Sequence, residues 1–490
     1  MTAYSSKRKP RAKQAEALKK SKGKAAFAFL MAMRTGKTKV VCDEYGELEF
    51  KKKVDDLFIL APAGVYHTWA KDDEKDPGGI YADFSDDIRK RMEVHIWESG
   101  TYKSKKRQQE LSAFLAHNGP RILVMNAEAL STVEDARLLV AAFIKNGRRV
   151  YCAIDESTLM KNPKAKRTKF INKNIAPYVE PRRILSGLIT PRSPLDLYTQ
   201  FEFLDRDILG YPNYYSFRAR FAVMKKVDFG HRHLTDIVVG YRDVEQLQAF
   251  IRPYSFRVRL EDCYDLPPSS YAFREVKLTK EQERIYDELK TFATAELKKE
   301  KHVTATLVIT KLLRLHQVIC GHVSDEEGNF TEIPENRTDE LISLLEEYDG
   351  KAIIWCSYDH DVRKVSEALQ KSFKVKVARF WGGNKKTREE EERMFKTDKD
   401  CPYMVATPSA GGKGRTWDVA NLVVYYSCTN DLEHRSQSEE RPKGVGKEFS
   451  IQYIDMVARG TVEEKIVKAL RDKIDIATII NGDNYKEWLI

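Results

Sequence analysis

No run in this 490-residue chain approaches the roughly 20 consecutive apolar residues that a bilayer-spanning helix needs, which excludes a membrane-crossing segment. Cysteine is scarce, with seven in all, at positions 42, 152, 263, 320, 356, 401 and 428. Their odd number, their scatter and the absence of any C-x-x-C pair exclude a disulfide framework and a zinc site, and fit reduced thiols in the cytosol. Cys320-Gly321-His322 has the look of a ligand fragment, but without partners it reads as structural. The N-terminal MTAYSSKRKPRAK is basic yet lacks the apolar core and cleavage site of a secretory signal. There is no internal repeat and no low-complexity segment beyond that tail.

With 42% hydrophobic and 32% charged residues, the chain can bury sizeable cores and stay soluble. Its length is too great for a single core and calls for two domains or more. The net charge is +11 and the isoelectric point near 9.0. Basic clusters recur at residues 7–9, 51–53, 103–107 and 161–169, alongside an acidic run at 389–392. This bias makes a polyanion such as nucleic acid a candidate partner, while a charge run by itself is more often a solvated mixed surface.

The segment FAFLMAMRTGKTKVV, residues 27–41, breaks an apolar run at Gly36-Lys37-Thr38 and then resumes it. A buried strand, a tight turn and the first turn of a helix form a phosphate loop. Backbone N–H groups and the helix dipole cradle the anion there. Lys37 would reach the β- and γ-phosphates of ATP, and the Thr38 hydroxyl would ligate Mg2+. Arg34 and Thr35 complete the loop, with Met31 where the usual pattern has its first glycine.

Short β-rich runs alternate with helix-compatible stretches in the first half. Strands are predicted at 26–31, 57–61, 121–125, 150–154 and 183–185. Helices are predicted at 108–117 and 136–145. The alternation fades between about 195 and 345, where helices are predicted at 195–204, 279–297 and 304–318. It restarts with strands at 352–355, 375–380, 403–406, 422–426 and 450–455. This pattern predicts an α/β protein with two parallel-sheet lobes and a helical section between them. Ligands of such sheets bind at the strands' carboxyl ends. The run VYCAIDE ends there in Asp155 and Glu156, 118 residues beyond Lys37 (155 − 37). Asp155 can hold Mg2+ and Glu156 can orient or activate the attacking water.

The run DESTLMKNP (155–163) resembles a motif of the Swi/Snf-type ATPases of helicase superfamily 2, and the resemblance extends across nearly the whole chain, in wording closest to compact bacteriophage and bacterial forms. Further segments follow in the family's order: LFILAP (57–62) with Trp69, ILVMNAEAL (122–130), LLRLHQVICGH (312–322), IIWCS (353–357), SAGGKG (409–414), QSEER (437–441) and TVEEKI (461–466). The resemblance implies two RecA-like lobes, 1–258 with a helical protrusion at about 195–255, and 259–490 with a helical insertion at about 275–335. It implies ATP and Mg2+ bound between the lobes. It makes Gln14 the reader of adenine, with Gly414 beside the nucleotide. Arg441 would be the finger that meets developing phosphate charge. It places Pro62, Asn126, Lys161, Asn162, Ser357, Ser409 and Gly411 against nucleic acid, with sequence-independent duplex or branched DNA as the partner of a monomer in the cytoplasm, that of the bacterial host if the gene is a phage's. Tyr and Phe residues between 211 and 221 either pack the protrusion or stack on bases.

Three departures from the family stand out. Leu188 and Ile189 intervene before Thr190-Pro191, removing a hydroxyl, and Arg34 replaces a loop glycine. Gly444 stands where the finger arginine is usual, leaving Arg441, Lys443 or Arg435 to compensate. The expected function is an ATP-dependent DNA translocase or remodelling ATPase. Its alternatives are a nucleotide-gated DNA-binding protein with weakened catalysis and a strand-unwinding DNA or RNA helicase.

Overall fold

Apolar runs of four to six residues become strands at every position where the sequence predicts one. The structure is a computed structural model and describes residues 4–470, apart from 74–76, 101–103, 228–234, 266, 300–304, 325–329, 412–414, 430, 445–446, 448 and 469. Of the residues singled out above, Lys103 and Gly414 lie outside this set. The chain divides into two compact units, one from residues up to 222 with 241–264, the other from 223–240 with those beyond 264.

The first unit carries strands β1 Ala26–Met31, β2 Asp56–Ala61, β3 Glu93–Ile96, β4 Arg121–Asn126, β5 Val150–Asp155, β6 Arg182–Leu185 and β9 Ser255–Val258, while the two-stranded sheet of β7 Ala222–Val227 and β8 Thr235–Tyr241 falls almost wholly in the stretch 223–240 grouped with the second unit. Seven of them form one sheet in the order β3-β4-β2-β5-β6-β1-β9, with every neighbouring pair parallel. The middle strands are buried on both faces, so they read as unbroken apolar runs. Asp56 opens β2 fully buried, and its carboxylate takes Arg121 at 2.5 Å and Arg148 at 2.7 Å. Those contacts pin the starts of β2 and β4 side by side, a specifying role for buried ions rather than a stabilising one.

Beyond β6 lie helices Leu197–Leu204, Tyr214–Phe221 and Val244–Ile251. Phe217 and Phe221 are buried, 4.9 Å apart by ring centroids, with Tyr198 and Tyr211 packed on Phe217. Those rings fill the local core, which is the packing alternative for the aromatic segment; Tyr215 is the exposed one. The strand pair β7–β8 breaks the all-helical reading of this region.

In the second unit, β10 Ser270–Glu275, β13 Ala352–Trp355, β14 Val377–Phe380, β15 Tyr403–Ala406, β16 Leu422–Tyr425 and β17 Gln452–Val457 form a parallel sheet in the order β10-β17-β16-β13-β15-β14. A small antiparallel pair, β11 His322–Ser324 and β12 Phe330–Glu332, follows helices Lys280–Lys299 and Ala305–Ile319. One face of the sheet packs through Trp355, Trp417 and Phe380. Behind the other lies a buried polar knot. Arg337 donates to Glu463 at 2.6 Å, to the Met456 carbonyl at 3.2 Å and to the Tyr426 carbonyl. His316 lies 3.2 Å from the same Glu463 carboxylate and Cys320 sits 4.0 Å from His316, so the ligand-like cysteine belongs to this knot. Among the described residues no helix is long and apolar enough to cross a membrane.

Candidate functional site

The phosphate loop forms where the sequence puts it. β1 ends at Met31, and helix α2, Lys37–Phe50, begins at Gly36 in a left-handed conformation with φ 88°. Arg34 is also left-handed, at φ 65°, so the position that often carries glycine holds its special conformation with a side chain attached. At φ 88° Gly36 holds a conformation that side chains rarely adopt, and a Cβ there would lie 1.9 Å from the Gln14 amide nitrogen and push that side chain off the loop.

Gln14 reaches the loop from helix α1, Ala12–Ser21. Its amide nitrogen donates to the Thr35 carbonyl at 3.1 Å, and its amide oxygen accepts the Arg11 N–H at 2.9 Å. Gln14 thus braces the loop from behind its turn. The Tyr264 hydroxyl donates to the Arg34 carbonyl at 3.2 Å and gives the loop a second support, one that no motif in the sequence signalled.

Lys37 Nζ donates to the Met31 carbonyl at 3.0 Å and stands 3.7 Å from the Glu156 carboxylate. Lys37 and Glu156, 119 residues apart in the chain (156 − 37), are therefore in contact. Asp155 ends β5, where one carboxylate oxygen accepts the Trp69 indole N–H at 2.9 Å and the other the Glu156 N–H at 3.0 Å. Trp69 is buried, so it orients a carboxylate here. Glu156 itself has φ 46°, a conformation non-glycine residues rarely adopt and one that concentrates at functional sites. The Thr38 hydroxyl and the Asp155 carboxylate, which keeps lone pairs to spare on both oxygens, are oxygen donors of the type Mg2+ takes.

Behind the acidic pair runs a connection the sequence did not reveal. Ser157 donates to the buried Gln200 at 2.6 Å, and the Gln200 amide donates to the Ile189 and Asp196 carbonyls at 2.9 and 2.7 Å. Where Leu188 and Ile189 displace a hydroxyl, Gln200 links the end of β5 to the segment after β6. In the same segment burial drives the Asp196 carboxyl up to about 6, against the pull of the Arg192 and Ser193 N–H groups and of Lys161. The folded value lies above the unfolded one of about 3.9, so this group favours folding below pH 4 and that contribution is lost as pH rises through 6. Asp196→Asn, which keeps an oxygen for both N–H groups, is expected to gain roughly 2 kcal/mol at pH 8 and nothing at pH 4 in denaturant titrations.

Of the expected nucleic-acid contacts, Pro62 and Asn126 follow and end the neighbouring strands β2 and β4, with Ala61 in register with Asn126. Lys161 and Asn162 sit in the turn beyond β5. In the second unit, Ser357 follows β13 and its hydroxyl donates to the Ser427 and Cys428 carbonyls at 3.0 and 3.1 Å. Ser409 and Gly411 form the short helix after β15, and a Cβ on Gly411 would strike Trp417 and Trp355. These positions lie at the carboxyl ends of their strands.

The cations of the sixth segment are differently committed. Arg435 is buried against Glu439 and Asp455, so its charge is consumed. Lys443 pairs with Glu440 at 2.8 Å. Arg441 is buried and donates to the Gln437 carbonyl at 2.9 Å and to the Arg415 carbonyl. A Cβ on Gly444 would lie 2.5 Å from Asp418 Cβ, so this backbone has no space for the missing arginine.

A parallel sheet with a phosphate loop after its first strand and a paired acid at a neighbouring strand end defines a P-loop-type nucleotide-binding protein. Family comparison narrows the class. Residues 80–323 match the SNF2-related domain and residues 336–443 the helicase conserved C-terminal domain. The chain belongs to the Swi/Snf-type, helicase-like ATPase family. The first match opens at residue 80, so the roles of Gln14 and Lys37 rest on the loop geometry. Relatives include the TATA-binding protein-associated factor mot1 of Aspergillus fumigatus, 25% identical over 384 residues, covering 68% of this chain and 20% of that protein. The candidate ATP-dependent helicase/translocase YwqA of Bacillus subtilis is 25% identical over 361 residues, covering 68% of this chain and 36% of that one. The chain thus spans well under half the length of these relatives. A Sulfolobus solfataricus SWI2/SNF2 ATPase core solved in complex with dsDNA aligns over 100% of this chain and 96% of its own at 19% identity, with a TM-score of 0.42.

Proposed function

We propose that this chain is a Mg2+- and ATP-dependent translocase or remodelling ATPase acting on duplex or branched DNA, as a monomer in the cytoplasm of a bacterium or a phage-infected host. The observation that carries the reading is the 3.7 Å approach of Lys37 to Glu156 inside a phosphate loop. A lysine that meets the γ-phosphate and a carboxylate that meets the attacking water are the two groups phosphoryl transfer to water requires. Mg2+, held by Thr38 and Asp155, would neutralise phosphate charge when bound. Arg441 is the second unit's candidate finger, because it is the arginine of the QSEER segment (437–441) that matches the family's sixth motif. DNA contacts through Pro62, Asn126, Lys161, Asn162, Ser357, Ser409 and Gly411 would fall on backbone phosphates and so be independent of sequence.

The test is ATP turnover with duplex DNA, single-stranded DNA and RNA at matched salt, using Lys37→Ala as the blank. Strongest stimulation by duplex is expected. No turnover above the blank with any of them would sink the reading. The crowding of Gly444 against Asp418 favours a second reading, a nucleotide-gated DNA-binding protein with slow catalysis. Robust turnover would remove it.

A further inference from the structure

Outside these motifs, the flank of the first unit carries a hollow of about 450 Å³ lined by cations. Arg137, Lys166, Lys169 and Lys173 face it, with Ser131 at the rim and the Phe170 ring among them, and no acidic side chain lines it. Helix Lys166–Phe170 runs straight into a π turn, Ile171–Ile175, and the spacing of the three lysines sets them along one side. The lysines are exposed, and among the described residues none of the three makes a hydrogen bond or ion pair. Arg137 is fixed by the Leu130 and Ser131 carbonyls at 3.0 and 2.8 Å and lies 5.5 Å over Phe170. Its contacts are neutral, so its charge is undiminished. Four positive charges around one hollow repel each other, and an anion between them turns that cost into attraction.

We propose that this hollow binds the phosphodiester backbone of DNA, as a second contact apart from the strand-end positions. A fixed guanidinium suits a phosphate held in two-point contact, and the mobile lysines follow a backbone without reading bases. The hollow is built on helices that follow β4 and β5, so a duplex seated here also touches the unit that carries Lys37 and Glu156. It would hold the DNA to that unit while the strand-end contacts change.

The inference rests on DNA being the partner, so the test separates the two. Duplex binding is measured without nucleotide across a salt series for three proteins. These are the wild type, Lys166→Ala/Lys169→Ala/Lys173→Ala, and a control, Lys22→Ala/Lys51→Ala/Lys53→Ala, which removes exposed lysines near the amino ends of β1 and β2. The slope of log affinity against log salt is expected to flatten by about 3 in the first variant, one for each lysine, and by less than about 1 in the control. Inorganic phosphate at matched ionic strength should compete with the wild type more than with the first variant. Equal slopes in all three proteins, or equal flattening in both variants, overturns the site. Unchanged DNA binding with lost binding of a poly-glutamate peptide also overturns it, in favour of an acidic protein. A wild-type protein that binds no duplex overturns the functional reading itself.

Discussion

Glu156→Gln is expected to slow ATP turnover about 10²- to 10⁴-fold while nucleotide affinity holds, because it removes a general base without changing shape. The backbone at this residue is left-handed and is set by its neighbours: its N–H is bonded to Asp155, and the next residue is tied to Gln200. Glutamine keeps that frame and its reach. It also releases Lys37 from the carboxylate 3.7 Å away, so the lysine meets phosphate with less competition. Single-turnover hydrolysis and equilibrium binding of a fluorescent ATP analogue measure the two halves. Turnover within about threefold of wild type would show that another group activates water, and loss of binding would show that Glu156 shapes the pocket instead.

Arg337→Met is expected to cost the second unit about 3–5 kcal/mol, the usual range for breaking a buried pair by removing one partner. Arg337 is fully buried and serves Glu463, the Met456 carbonyl and the Tyr426 carbonyl together. Without it, two carbonyls at the carboxyl ends of β16 and β17 lose their donor, and among the described residues Glu463 keeps His316 and the Ala458 N–H. The opposite change, Glu463→Gln, should cost less, since both carbonyls keep the guanidinium. Hydrogen exchange at the β16 and β17 amides reads the difference locally, free of unfolding in the other unit. Equal protection in the two variants would mean that the knot is held by packing alone.

The strands the sequence revealed are those in the middle of each sheet. β1, β13 and β15 match their predicted ends residue for residue, because both faces are buried and every position is apolar. In the two large sheets, the strands it missed are β3, β9 and β10, and both small strand pairs, β7–β8 and β11–β12, were missed as well. β3 and β10 lie at sheet edges with partly exposed side chains, and β9 alternates buried with half-buried residues over only four positions. Such strands carry too little apolar signal to stand out from a loop. The phosphate loop and the acid pair were legible because they are local patterns with fixed spacing. Gln200, Tyr264 and the Arg137–Lys173 hollow were not, since each depends on segments that meet only in the folded chain. Trp69 was visible, but its bond to Asp155 was not.

Any side chain at position 444 would meet Asp418, whose Cβ lies 2.5 Å from where its own Cβ would sit. An arginine placed at 444 would therefore need a second change at Asp418 to make room, and neither change alone would supply a usable side chain there.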